Sequence, residues 1–146
     1  MDHVAIMKKS WGLLPKILKG EKSIESRWYQ TKRAPWNKIQ PDETVYFKNS
    51  GEPVTIKATV GQVFQFEHLN PAKVSQILDR YSAADGIDLE DEEKFKNLFS
   101  NKNYCLLIFL KKVQKVLPFE IDKIGFGMMS AWLSVTNIDQ IRKKTI

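Results

Sequence analysis

The chain has 146 residues, of which 42% are hydrophobic and 27% are charged. These proportions are typical of one globular domain with its own apolar core, and they exclude a disordered chain. No apolar segment approaches the ~20 residues that a membrane-spanning helix needs. The N-terminal residues, with Asp2 and His3 before a short apolar run, do not resemble a signal peptide. We therefore expect a soluble, cytoplasmic protein with no membrane association.

The net charge of +6 is unevenly distributed along the chain. Residues 1–40 contain nine Lys/Arg and three Asp/Glu, and residues 101–146 contain eight and three. Residues 41–100 reverse this balance, with six basic and eleven acidic residues. If the two basic ends pack together, they form a positive face that attracts phosphate backbones through counterion release. The alternative is that the lysines are scattered and serve only to solvate the surface.

Hydrophobic periodicity and turn-forming residues predict strands with helices between them. The predicted strands cover residues 4–7, 22–29, 44–47, 54–66, 104–110, 119–121 and 131–135. The predicted helices cover residues 10–19, 71–82, 89–99 and a short segment after Asn137 that ends at residues 142–144. This arrangement predicts an α+β, barrel-like fold in which residues 1–146 form a single domain.

Several residues mark the predicted helix ends. Pro15 and Pro71 suit the first turn of a helix, where a missing N–H costs least. Asp88 is placed to cap the helix that follows, and the acidic residues after it oppose the helix dipole. We therefore interpret the acidic run at residues 88–93 as a helix start rather than as a metal or polyamine site.

Residues that bind metals or carry standard catalytic motifs are scarce. His3, His68 and Cys105 are the only histidines and cysteine, and their spacing does not match a metal site. The sequence also lacks a G-x-S-x-G elbow, a GxxxxGK[ST] phosphate loop and a GxGxxG motif. We expect no metal and no cofactor, and we interpret Cys105, inside an apolar strand, as a small buried hydrophobic residue.

Three of the four tryptophans lie beside basic residues at the ends of predicted elements. They are Trp11, Trp28 and Trp36. An aromatic ring next to a cation suits a nucleotide, because the ring stacks on the base while the cation holds the phosphate. The alternative is that all three belong to the apolar core, as most buried aromatic residues do.

The segment GEKSIESRWY, residues 20–29, places three charges in an otherwise apolar strand. Side chains alternate along a strand, so Ile24 and Trp28 share one face while Glu25 and Arg27 share the other. Lys22, at the corner before the strand, can reach the same area as the two charged residues. We expect Ile24 and Trp28 to pack in the core and the charged face to border a cleft. A solvated, salt-bridged strand face is the alternative.

Two segments resemble one known family. Residues 20–27 match the G-x-K-x-x-E-x-R motif of the ASCH domain, a branch of the PUA-like superfamily. Residues 41–47, PDETVYF, resemble the x-G-D-x-V-x-F pattern at the start of a strand in this family, with Asp42 in place of the glycine. The resemblance covers residues 3–67 and, more loosely, residues 103–136.

The resemblance implies a small PUA-like β-barrel with flanking helices and a helical insertion at about residues 71–100. Its ligand would be RNA or a modified nucleoside or nucleotide, because ASCH domains are thought to bind such ligands. The implied cleft contains seven residues: Lys22, Glu25, Arg27, Lys9, Ser10, Trp11 and Trp28. Lys22 and Arg27 would contact phosphate or a base edge, and Glu25 would orient them or accept from an exocyclic amine. Trp28 or Trp11 would stack on the base.

A hydrolase is the alternative that the resemblance leaves open. One branch of the family removes the acetyl group from N4-acetylcytidine with the motif lysine, a threonine and a distant glutamate, and other members are ribonucleases. Lys22 matches the lysine, but Glu25 occupies the threonine position. A nearby Glu25 favours a charged Lys22, whereas a lysine base must be neutral. In a hydrolase Glu25 would therefore activate water while Lys22 and Arg27 stabilise charge. A protein-interaction module is the third possibility.

Overall fold

Six strands form one mixed sheet that curls into a half-barrel, with helices packed around it. The computed structural model describes residues 1–144. The strands are β1 Asp2–Met7, β2 Ile24–Tyr29, β3 Thr44–Asn49, β4 Val54–Phe66, β5 Tyr104–Phe119 and β6 Trp132–Val135. The helices are α1 Leu13–Leu18, α2 Pro71–Tyr81 and α3 Glu92–Phe99, with 3₁₀ turns at Lys9–Trp11, Leu89–Asp91 and Ile138–Gln140. The predicted α+β class is confirmed.

The order of strands across the sheet is β2-β5-β4-β3-β1-β6. Strands β1 and β3 run parallel, and the other neighbours run antiparallel. The first and last strands are neighbours, so the N-terminal and C-terminal regions of the chain pack together. The pairing of β4 with β5 shifts register at three places. Such bulges bend long strands, which allows this sheet to curl.

Strand β5 is buried on both faces in its first half. Leu106 and Ile108 point into the cluster enclosed by the curled sheet and α1. Cys105 and Leu107 point the other way, into a cluster beneath α2. Burial on both faces explains why this strand reads as an unbroken apolar run rather than as an alternating one. Cys105 is a fully buried hydrophobic residue, as predicted.

The side chains of β2 alternate as the sequence predicts. Ile24 and Trp28 both lie in the cluster beneath α2, where Trp28 is only 8% exposed. Helix α2 contributes Val74, Ile77 and Leu78 to the same cluster. Helix α2 begins at Pro71, after Asn70, whose side chain caps it. The predicted register of β2 is therefore confirmed, and with it the placement of Glu25 on the opposite face.

Several predicted boundaries are wrong. Strand β5 continues to Phe119, so residues 119–121 are not a separate strand. The predicted helix over residues 10–19 is interrupted by Gly12, whose φ of 62° ends the 3₁₀ turn before α1 begins. Strand β2 begins at Ile24, which leaves Lys22 in the preceding turn.

The remaining differences concern helix ends. Asp88 occupies the predicted cap position, but its side chain makes no capping hydrogen bond and instead lies 3.2 Å from the Lys16 ammonium. A 3₁₀ turn therefore precedes α3. Asn137 caps the last turn as predicted, but that turn ends at Gln140 rather than at residues 142–144. Within residues 1–144, no helix combines the length and apolar character that crossing a membrane requires.

Candidate functional site

The Lys22 ammonium lies at the centre of a buried charge network. Its Nζ donates to the backbone oxygens of Ile24 and Asp85, both at 2.7 Å, and to Asp85 Oδ1 at 2.6 Å. The Glu25 Oε1 atom lies 3.2 Å from the same nitrogen. Lys22 is 2% exposed and Glu25 is 3% exposed. Three short bonds to protein acceptors use all three N–H donors of the ammonium.

Arg27 extends this network across the opening of the half-barrel. Its Nε and Nη2 donate to Glu25 Oε2 at 3.1 and 2.8 Å. Its Nη1 and Nη2 also donate to the backbone oxygens of Ala131 and Ile6, at 3.2 and 3.4 Å. Arg27 lies on β2 at one edge of the sheet, whereas Ile6 and Ala131 belong to the region of β1 and β6 at the other. Arg27 therefore joins the two sides of the curled sheet.

The environment keeps Lys22 and Glu25 ionised. Burial lowers the pKa of Lys22, but Asp85 and Glu25 more than offset this, so the pKa of Lys22 lies above its ordinary value. Burial raises the pKa of Glu25, but Lys22 and Arg27 outweigh it, so the pKa of Glu25 is lowered. For Asp85 burial dominates over the attraction of Lys22, and its pKa is raised. A lysine with a raised pKa is a poor general base at neutral pH.

The loop after α2 is shaped to receive the Lys22 side chain. Gly86 has a φ of +79°, and a Cβ atom there would lie only 3.1 Å from Lys22 Cβ. Glycine therefore allows the loop backbone to approach the lysine stem closely. Asp85 is held in place through its second oxygen, which accepts from Ser26 Oγ at 2.5 Å. Ser26 in turn accepts from Trp28 Nε1 at 3.0 Å.

A cavity of ≈ 390 Å³ opens above this charge network. Five aromatic residues line it: Trp11, Trp28, Tyr29, Phe95 and Phe99. Trp28 stacks on Phe99 with ring centroids 4.6 Å apart, and Trp11 meets Phe95 edge-on at 5.4 Å. Trp11 is 37% exposed, which places it at the mouth of the cavity. The cavity thus has a charged floor and apolar, aromatic walls.

Besides Lys22, three lysines line the cavity, and the ammonium groups of two of them have no carboxylate partner. Lys8 Nζ lies 5.1 Å from the Trp11 ring centroid, and Lys94 Nζ lies 5.8 Å from that of Phe95. Neither Lys8 nor Lys94 forms an ion pair with any residue in the described range 1–144. The third, Lys16, donates to the Gly86 backbone oxygen at 2.7 Å. Within residues 1–144, the lining of the cavity therefore includes two lysines without an ion-pair partner, together with the Lys16–Asp88 pair and the Asp91 carboxylate.

The structure brings together six of the seven residues that the sequence singled out. Lys22, Glu25, Arg27, Ser10, Trp11 and Trp28 all line the cavity. Lys9 does not, because its ammonium turns away to Glu52 at 2.8 Å, and Lys8 lines the cavity instead.

The roles predicted for the charged residues need correction. All three donors of Lys22 are occupied by protein acceptors, so its ammonium is not free to hold a phosphate, and four of the five N–H donors of Arg27 are bonded within the protein. Glu25 lines the cavity as part of a buried network with Lys22 and Arg27.

Sequence reasoning missed the contribution of residues 71–100. This segment supplies Asp85, the second carboxylate on Lys22, and the aromatic pair Phe95 and Phe99. Two weak signals were present: an Asp-Gly pair just after a helix, and two phenylalanines four residues apart on the next helix. Neither signal indicates contact with Lys22 or Trp28.

One group of acidic residues in the described part of the chain has spacing compatible with a metal ion. The carboxylate oxygens of Asp88, Glu90 and Asp91 lie within 4.8 Å of one another. These side chains are exposed or half-buried and precede α3, where acidic residues oppose the helix dipole. That role accounts for them without an ion.

The sequence matches no protein-family model, and no curated protein shows significant similarity to it. The fold, in contrast, is similar to that of the ASCH protein from Zymomonas mobilis. One structure of that protein is 14% identical, with a TM-score of 0.67 over 95% of this chain and 90% of that chain. A Tyr-to-Phe mutant is 14% identical, with 95% and 93% coverage and the same TM-score. A Ser-to-Ala mutant is 13% identical, with 95% and 91% coverage, again at 0.67.

Proposed function

We propose that this chain, which folds as an ASCH domain, binds RNA by taking one nucleotide into the cavity beneath α3. The base enters the cavity, and the flanking phosphates lie at its rim. The observation that carries this proposal is the combination, in one ≈ 390 Å³ cavity, of aromatic walls, a buried charged floor and the lysines Lys8 and Lys94. Small-molecule sites have volumes of roughly 300–1,000 Å³.

The walls suit a planar base. Trp11 is partly exposed at the mouth, where it meets Phe95 edge-on and has the Lys8 ammonium 5.1 Å from its ring centroid, so it can serve as a stacking platform beside a cation. Base–aromatic stacking contributes about 1–3 kcal/mol per base and tolerates different bases. Trp28 forms the inner wall and is held by Phe99 and by its bond to Ser26. The two tryptophans therefore have different roles, one at the surface and one structural.

The phosphates belong at the rim rather than on the floor. On the floor, Lys22 is paired with Glu25 and Asp85, and Arg27 is paired with Glu25. Lys8 and Lys94 at the rim have no ion-pair partner within residues 1–144, and each can approach a phosphate. Neutralising phosphates releases counterions, so affinity that depends on these lysines falls as salt rises.

Fluorescence anisotropy with a labelled single-stranded RNA of about ten nucleotides tests this proposal. Affinity is measured over a series of salt concentrations for the wild type, Lys8→Gln and Lys9→Gln. Lys9 is the matched control, since it is adjacent in sequence but pairs with Glu52 outside the cavity. We expect Lys8→Gln to weaken binding and to reduce the log–log salt slope by about 1, with little change for Lys9→Gln. Equal effects of the two substitutions, or binding that does not depend on salt, would contradict the proposal.

A second candidate is hydrolysis in the same cavity. The observation that favours it is Asp85, a carboxylate distant in sequence that lies 2.6 Å from the motif lysine Lys22. A lysine with a distant carboxylate resembles the arrangement in the acetylcytidine hydrolases, although Glu25 occupies the threonine position. The test is release of acetate and cytidine from N4-acetylcytidine, with Asp85→Asn as the comparison. Turnover that Asp85→Asn abolishes would support hydrolysis, whereas binding without turnover would support the binding module.

A further inference from the structure

Glu25 is a buried carboxylate that lines the cavity, and its Oε1 atom has one cationic neighbour, Lys22. Its partner oxygen, Oε2, accepts two hydrogen bonds from Arg27. Oε1 has the Lys22 ammonium 3.2 Å away, but the three short hydrogen bonds of that ammonium go to Ile24 and Asp85. Within the described residues 1–144, no other donor reaches Oε1. A carboxylate oxygen can accept two hydrogen bonds, so at least one acceptor position remains for a ligand.

We propose that the cavity selects nucleobases bearing an exocyclic amine, which donates a hydrogen bond to Glu25 Oε1. This inference rests on the proposed function, because it assumes that a base occupies the cavity. Cytosine and adenine present such an amine, whereas uracil and hypoxanthine present a carbonyl oxygen at the same position. A carbonyl oxygen against Oε1 would bring two acceptors together, with both buried and neither satisfied.

The surrounding network makes Glu25 a fixed acceptor. Lys22 and Arg27 hold its two oxygens from opposite sides, so the carboxylate cannot rotate away from an unsuitable ligand. The same two cations lower the pKa of Glu25, which keeps it ionised and therefore without a proton to donate. Lys22 cannot serve a carbonyl oxygen in its place, because all three of its donors are occupied, and four of the five N–H donors of Arg27 are likewise bonded within the protein. The floor of the cavity therefore distinguishes amine-bearing from carbonyl-bearing bases by hydrogen bonding rather than by size.

Competition binding with short homo-oligoribonucleotides tests the selection without altering the protein. Two pairs keep ring size constant: oligocytidylate against oligouridylate, and oligoadenylate against oligoinosinate. A third comparison replaces cytosine with 2-pyrimidinone, which lacks the amine and adds no bulk. We expect the amine-bearing member of at least one pair to bind about tenfold more tightly, in line with one specific base contact. The 2-pyrimidinone oligomer should lose a similar factor relative to oligocytidylate.

Glu25→Gln provides the matching protein variant, with Lys9→Gln as the control. An amide can donate as well as accept, so the preference between the paired oligomers should shrink or reverse in Glu25→Gln and persist in Lys9→Gln. If Glu25→Gln does not fold, the ligand comparison in the wild type still decides the question. Equal affinity within both pairs, or a preference for the carbonyl-bearing members, would overturn the inference and leave RNA binding intact. Absence of binding to any oligomer would overturn both.

Discussion

Replacing Lys22 with Met removes the positive charge that separates two buried carboxylates. Methionine keeps an unbranched stem of similar length, so the packing of that stem against Gly86 is largely retained. The variant then leaves Asp85 and Glu25 without the ammonium that lies 2.6 and 3.2 Å from them. The substitution therefore tests the charge network with little change in volume.

The expected loss follows from the burial of the pair. Removing one partner from a buried ion pair typically costs about 3–5 kcal/mol, because the other charge remains buried and uncompensated. Arg27 still neutralises Glu25, which reduces the loss, whereas Asp85 loses its only cationic partner among residues 1–144. We therefore expect a loss near about 3 kcal/mol, a large fraction of the roughly 5–15 kcal/mol that stabilises a typical domain.

The loss depends on pH in a predictable direction. Burial already raises the pKa of Asp85, and removing Lys22 raises it further. The folded variant therefore binds a proton at Asp85 more strongly than the unfolded chain does. The stability of Lys22→Met therefore increases as pH falls through that raised pKa, and the difference from the wild type shrinks. Urea unfolding of both proteins at about pH 7 and about pH 5 measures this. A loss of stability below about 1 kcal/mol at neutral pH, or an equal loss at both pH values, would show that Lys22 does not compensate a buried charge on Asp85.

Three further predictions concern separate parts of the structure. Trp28→Ala should lower the free energy of unfolding by about 3–5 kcal/mol, whereas Trp11→Ala should change it little and instead weaken RNA binding by about 1–3 kcal/mol. Urea unfolding measures the first effect and fluorescence anisotropy the second. The reverse pattern would exchange the roles of the two tryptophans. Gly86→Ala should destabilise by about 1–2 kcal/mol, because an L side chain at φ +79° is strained and crowds Lys22; unchanged urea unfolding would contradict this. Burial lowers the pKa of His3, so the free energy of unfolding should fall as pH drops below about 6.5. In His3→Gln the free energy of unfolding should depend less on pH in this acidic range.

The local features of the site could be predicted because they follow from strand periodicity. Alternation along residues 24–29 places Ile24 and Trp28 on one face and Glu25 on the other, and the structure has this register. The spacing of Lys22 from Glu25 also predicted that the two would meet. At Asp42, the residue that departs from the family pattern has a φ of 73°, which explains why glycine is suited to that position.

The distant contacts could not be predicted, because they depend on how separate elements pack. Asp85 reaches Lys22 across 63 positions of the chain, and the packing of α2 on β2 decides that contact. The bonds from Arg27 to Ile6 and Ala131 exist because the sheet curls until its two sides meet, and no local pattern encodes that curvature. Such contacts turn a charged strand face, expected to be open, into a buried network.

The 3₁₀ turn before α1 accounts for the error at Lys9. A continuous helix from residue 10 would have left both Lys8 and Lys9 as plausible cavity residues. In the structure Lys9 begins a 3₁₀ turn and pairs with Glu52, whereas Lys8, just before the turn, lines the cavity together with Trp11.

Occupation of the aromatic cavity by RNA can be followed directly through the four tryptophan indole N–H groups. Their signals in a ¹H–¹⁵N correlation spectrum are followed while a short single-stranded RNA is added. We predict that the signals of Trp11 and Trp28 shift in parallel with binding, while that of Trp36, which does not line the cavity, stays in place. RNA binding that moves Trp36 but leaves Trp11 and Trp28 unchanged would contradict the account.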